Sequence, residues 1–121
     1  MAVQAAIAAL HCQATRAEDT DWPQILRLYD VLERLQPSPI VSLNRAVAVA
    51  MVDGPRESLA LIDALAADLD GYHLLHASRA DLLRRLGSTD MAADSYKRAL
   101  ELVANESERR FLQRRLREMQ G

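Results

Sequence analysis

Apolar residues recur along this chain at intervals of three and four, and nowhere in a sustained alternation of two, which predicts helices throughout and no strands. A first helix is predicted over residues 2–14, followed by the polar link TRAEDTD, rich in residues that favour helix caps. Ile25, Leu28, Tyr29, Leu32 and Leu35 then form one stripe, with Thr20 or Asp21 as the N-cap and Gln24 three residues after Asp21 as a capping-box partner. The stretch QPSP ends that helix, because proline lacks an amide hydrogen, and Ser38-Pro39 opens the next as an N-cap with proline in the first turn.

The third helix, residues 39–52, reads IVSLNRAVAVAMV before Asp53-Gly54-Pro55 breaks it, glycine supplying a left-handed cap and proline starting a fourth helix that carries Leu59, Ile62, Leu65 and Ala66. A fifth helix is predicted over 72–86, ending at Gly87, and a sixth over 90–103, capped by Ser88 or Thr89. Asn105 with Glu108 opens a seventh in capping-box fashion, with Phe111, Leu112, Leu116 and Met119 facing inward and the arginines outward.

Helices of similar length joined by short links invite a search for a repeat. Residues 73–106 fit a tetratricopeptide unit: Ala80 at the small position of the first helix, Gly87 at the turn, then Ala92, Tyr96 and Ala99 in the second. A shift of two repeat periods places Tyr29 under Tyr96, Ile25 under Ala92, and Pro37 at the closing-proline site. The middle unit is degenerate: aligning Gly54 with Gly87 puts Leu59 where alanine is preferred. The expected fold is all-α, with tetratricopeptide-like antiparallel helix pairs in a right-handed superhelical array. One domain spans residues 1–121, with units at 6–39, 40–72 and 73–106 and a C-terminal capping helix at 107–120.

Composition narrows the function. Half the residues are apolar but only 4% are aromatic, which favours close helix packing by alanine and leucine. The net charge of −2 argues against general nucleic-acid binding. The charge is unevenly spread: residues 1–70 carry five arginines against ten acidic residues, whereas residues 97–121 carry seven basic against four acidic. The single Cys12 gives no sign of an oxidising compartment, so a cytoplasmic protein is expected, and His11, Gln13 and Arg16 interrupt the apolar opening too often for a membrane span.

The wording of the chain resembles a known family. The run EDTDWPQILRLYDVLERLQPSPIVSLNRAVAVAMVDGP, with GYHLLHASRADLLRRLG and NESERRFLQRRL, is similar to the C-terminal extension of a group of bacterial extracytoplasmic-function RNA polymerase sigma factors. The resemblance implies a helical, tetratricopeptide-like domain that follows the two sigma regions binding polymerase and promoter DNA and regulates them through protein contacts in transcription initiation. Nothing here resembles the promoter-melting region or the helix-turn-helix, so this chain is expected to bind no DNA itself. It reads as a domain excised from a longer sigma factor, with Met1 added ahead of it. The alternative is a free-standing adaptor that binds a peptide in its groove.

No residue set points to catalysis, a metal or a cofactor. His11 and Cys12 are adjacent and diverge by about 100° on a helix, while His73 and His76 share a face but lack further ligands. Cys12 has no base beside it, Gly54 and Gly87 form no phosphate loop, and the acidic pairs Glu18-Asp19 and Asp68 with Asp70 fit capping. The arginines at 109, 110, 114, 115 and 117 read as the solvated face of a cap. Candidate partner-binding residues are Asn44 and Arg45, set among alanines and valines, and Arg79 and Arg84. They would make a donor-rich groove or interdomain seam for a carboxylate-bearing segment of the sigma regions, polymerase or a signalling protein. Alternatively, Asn44 and Arg45 satisfy backbone carbonyls between helix pairs.

Overall fold

The computed structural model describes residues 21–120, all of whose regular structure is helical. The described helices are α1 (Trp22–Leu35), α2 (Pro39–Val52), α3 (Pro55–Ala64), the single turn α4 (Ala66–Leu69), α5 (His73–Arg85), α6 (Thr89–Leu102) and α7 (Glu106–Gln120). The helix predicted at 2–14, with His11 and Cys12, and the pair Glu18-Asp19 lie outside the described residues.

Local chemistry sets the helix ends. The Asp21 carboxylate accepts from the Gln24 amide at 3.2 Å, and the Ser38 hydroxyl accepts from the Ile40 amide at 3.2 Å, each satisfying a first-turn donor. At Gly87, φ is +82°, and the amides of Gly87 and Ser88 bond back to the carbonyls of Arg84 and Leu83 at 3.0 and 2.9 Å. This is the paired C-terminal bonding that a left-handed glycine permits. Gly54 also has positive φ, +103°, but its ψ of 165° places it in the mirror-extended region, open to glycine alone, and not in a left-handed helical cap.

Further expectations are corrected. The fourth predicted helix divides at Leu65, whose amide bonds to the Ile62 carbonyl at 3.0 Å, so a tightened i to i−3 turn separates α3 from α4. Phe111 does not face inward; it is 47% exposed, while Leu112 is buried and Leu116 and Met119 pack against the core.

Each helix packs on the next, α1 on α2, α2 on α3, α3 on α5, α5 on α6 and α6 on α7, with a lesser contact between α2 and α5. The fourth residue of α1, α3 and α6 is Ile25, Ser58 and Ala92, and all three are fully buried. The small, fully buried residue at this place in α3 is therefore Ser58, and Leu59 beside it is only partly buried. Gly54 directly precedes helical Pro55, whereas Ser88 intervenes after Gly87, so the two glycines stand one position out of phase with the helices that follow them. Once α3 and α6 are aligned from their first residues, the same offset relates Ala46, Ala48 and Val49 of α2 to Ala80, Leu82 and Leu83 of α5, all of them buried.

Three apolar clusters result. Ile25 and Ala48 join α1 to α2; Leu43, Ala46, Ile62, Leu69, Leu75 and Leu82 fill the centre; Ala80, Leu83, Ala92, Tyr96, Ala99, Val103 and Leu112 fill the C-terminal end. Leu59 packs against both of the larger two.

Candidate functional site

On α2, Ile40, Asn44, Val47 and Met51 fall within about 60° of one another at roughly 100° per residue. Ile40, Val47 and Met51 are apolar and exposed, Val47 by 38% and Met51 by 41%. Buried Leu43 and Ala46 lie on one side of this stripe and buried Ala48 on the other, so α2 contacts its neighbours with both flanks and leaves a third apolar face uncovered. Across from it, Ala77, Ser78, Asp81, Leu82 and Arg85 of α5 complete a hollow of about 190 Å³ with Val47, Ala50 and Met51. Its floor is apolar, and its polar rim is Ser78, Asp81 and Arg85. Arg85 bonds Asp81 at 2.9 Å and approaches the Met51 sulfur at 3.8 Å.

The four residues singled out from sequence do not converge there. Asn44 shares the exposed α2 stripe, one turn before Val47. Arg45 instead turns to α1, where its guanidinium bonds the Asp30 carboxylate and lies 3.7 Å from Glu33. Arg79, nearly opposite Ala77 around α5, bonds Asp63 of α3 and the Ser95 hydroxyl of α6, both at 2.8 Å. Arg45 of α2 and Arg79 of α5 are related by the same offset as the first residues of α3 and α6, and Asp30 and Asp63 each stand ninth in their helices, so the same ion pair ties α2 to α1 and α5 to α3. Their donors are taken by the protein's own carboxylates and the Ser95 hydroxyl, not by backbone carbonyls.

Arg84 bonds Asp81 at 2.6 Å, which raises its pKa further, and the Tyr96 phenol lies close by. Burial raises the Tyr96 pKa above 10.0, with the Arg84 contact opposing that shift.

His73 and His76 take separate partners. The His73 Nε2 meets the Glu108 carboxylate of α7 at 2.7 Å, and His76 contacts the Asp70 backbone carbonyl at 2.7 Å. Asp70 also pairs with Arg98 of α6 at 3.2 Å, a cross-helix role beyond capping. Among the described residues, no three His, Cys, Asp or Glu side chains gather as a metal ion requires. No helix among them is long and apolar enough to cross a membrane.

Sequence reasoning passed over Val47, Met51, Ala77, Ser78, Asp81, Leu82 and Arg85. The available signal was the excess of apolar residues around the whole of α2, more than one core face needs.

No protein-family model matches the chain. It is 48% identical over 114 residues to an uncharacterized protein of Rhizobium meliloti (strain 1021), a match that covers 94% of this chain and 27% of that protein. The chain thus spans about a quarter of the length of the curated relative it matches.

Proposed function

We propose that this chain is a non-enzymatic, cytoplasmic protein-interaction domain, a tetratricopeptide-like stack of antiparallel helix pairs in a right-handed superhelix closed by α7. In this reading it is the regulatory part of an extracytoplasmic-function sigma factor acting in transcription initiation. It docks onto the sigma regions, polymerase or a signalling protein, while promoter contacts belong to regions outside this chain. The carrying observation is the apolar hollow between α2 and α5, where Val47 and Met51, both on α2, remain exposed. The buried positions that recur from unit to unit and the duplicated Arg-Asp tie support stacked units. The greater length of the Rhizobium relative is in keeping with a domain joined to other regions.

The test starts from the reading frame upstream of residue 1. If sigma regions are encoded there, they are purified separately and titrated with residues 1–121. The variants Val47→Asp and Met51→Asp are expected to weaken binding by about tenfold or more, because each places a charge in an apolar contact. Undiminished affinity with intact helicity would remove the hollow from the interface, and a stop codon upstream would favour the free-standing adaptor.

A further inference from the structure

The five arginines of α7 divide into two groups. Arg109 donates to the Val103 carbonyl at 3.0 Å, while Arg115 pairs with Glu118 at 3.1 Å and lies 5.3 Å from the Phe111 ring centre. Arg110, Arg114 and Arg117 turn outward. Arg110 is 74% exposed with only Glu106, at 3.7 Å, near it; Arg114 and Arg117 are exposed and meet no carboxylate among the described residues. Spacings of four and three put the three on one stripe roughly 10 Å long. Without a partner, three like charges this close repel one another.

Half-exposed Phe111 stands one turn before Arg114, about 60° from it around α7. With Leu74, itself 37% exposed, Ala77 and Leu112, it lines an apolar hollow of about 110 Å³ between α5 and α7, rimmed by His73 and Glu108. A helix that only caps a stack needs a polar outer face. It needs neither an uncovered aromatic nor exposed guanidinium groups such as Arg114 and Arg117 that meet no carboxylate among the described residues.

We propose that α7 is a second docking face, which receives an acidic polypeptide segment carrying an apolar anchor. One apolar side chain of the segment enters the hollow beside Phe111, and carboxylates on the segment pair with Arg110, Arg114 and Arg117 through the forked geometry that guanidinium offers. Charge complementarity selects the class of ligand. A nucleic-acid backbone has no apolar side chain for the hollow beside Phe111, whereas an acidic polypeptide can offer both the anchor and the carboxylates. This hollow meets the α2–α5 hollow at Ala77, but Phe111 and the three arginines belong to α7 alone and Met51 lines only the other, so the two proposals are tested separately.

The test titrates residues 1–121, by fluorescence anisotropy, with three labelled probes: a helical peptide with glutamates flanking leucines at helical spacing, a leucine-free polyglutamate peptide of equal charge, and a short DNA duplex. The leucine-containing peptide is expected to bind best and to weaken as salt is raised. Arg110→Glu with Arg114→Glu should reduce its affinity by about tenfold or more, and Phe111→Ser by about threefold or more, with unchanged circular dichroism. Met51→Asp should leave it unaltered. The proposal is overturned by equal binding of both peptides, by preference for the duplex, by loss of binding in Met51→Asp, or by no response to the arginine reversals. Self-association in sedimentation that the same reversals abolish would assign the face to a second copy and likewise overturn it.

Discussion

Replacing Arg79 by Met removes a tie that joins three helices while keeping the apolar stem. Its bond to Asp63 is half exposed and is worth roughly 0.2–1 kcal/mol. Its bond to Ser95, a buried hydroxyl, is charge-assisted and worth roughly 1.5–3 kcal/mol. The combined loss should be about 2–4 kcal/mol, lowering the urea midpoint followed by far-ultraviolet circular dichroism by about 1–2 M. Arg45→Met breaks the equivalent tie, which has no buried hydroxyl on its other side, so it should lose only about 0.2–1 kcal/mol. The ordering Arg79 above Arg45 is the structural content. Equal losses would show that the Ser95 bond contributes nothing, and a stable Arg79→Met protein that has lost partner binding would return Arg79 to a ligand surface.

Ser58→Val should destabilise the chain by roughly 1–3 kcal/mol in the same assay, because the fully buried hydroxyl donates to the Ala46 carbonyl across α2 and α3. Gly87→Ala should cost about 1 kcal/mol through backbone strain at φ +82°, since nothing within 4 Å would meet the added methyl group; thermal melts compare it with wild type. Burial holds the Tyr96 phenol neutral above its ordinary 10.0, so folding stability is intact below about pH 10 and declines as pH rises further, the unfolded chain ionising first. Melts between neutral and strongly alkaline pH check this, and Tyr96→Phe should flatten the decline.

Most helix ends were legible because they rest on local chemistry: Asp21, Ser38-Pro39, Gly54-Pro55 and Asn105 act within a few residues of where they stand. The break at Leu65 carried no such mark, having neither glycine nor proline, and arises from one tightened bond. Asn105 accepts from the Glu108 amide at 3.0 Å as half of a capping box, while the Glu108 carboxylate meets His73 instead, a competition visible only once α5 and α7 are side by side. The arginines show the same boundary. An arginine among alanines reads equally as a ligand donor or an internal tie until Asp30, Asp63 and Ser95 are placed around it. Phe111 was misplaced because the apolar arc of α7 is narrow, and Leu112, Leu116 and Met119 already fill it.

Leu59 belongs to no single cluster, since the central and C-terminal apolar groups both close against its side chain. Loosening either therefore strips contacts from the other, and the two clusters are obliged to melt in step. A segment cut away on one side of this leucine would inherit half a socket, so the integrity of the helical packing belongs to the join between the two clusters as much as to either by itself.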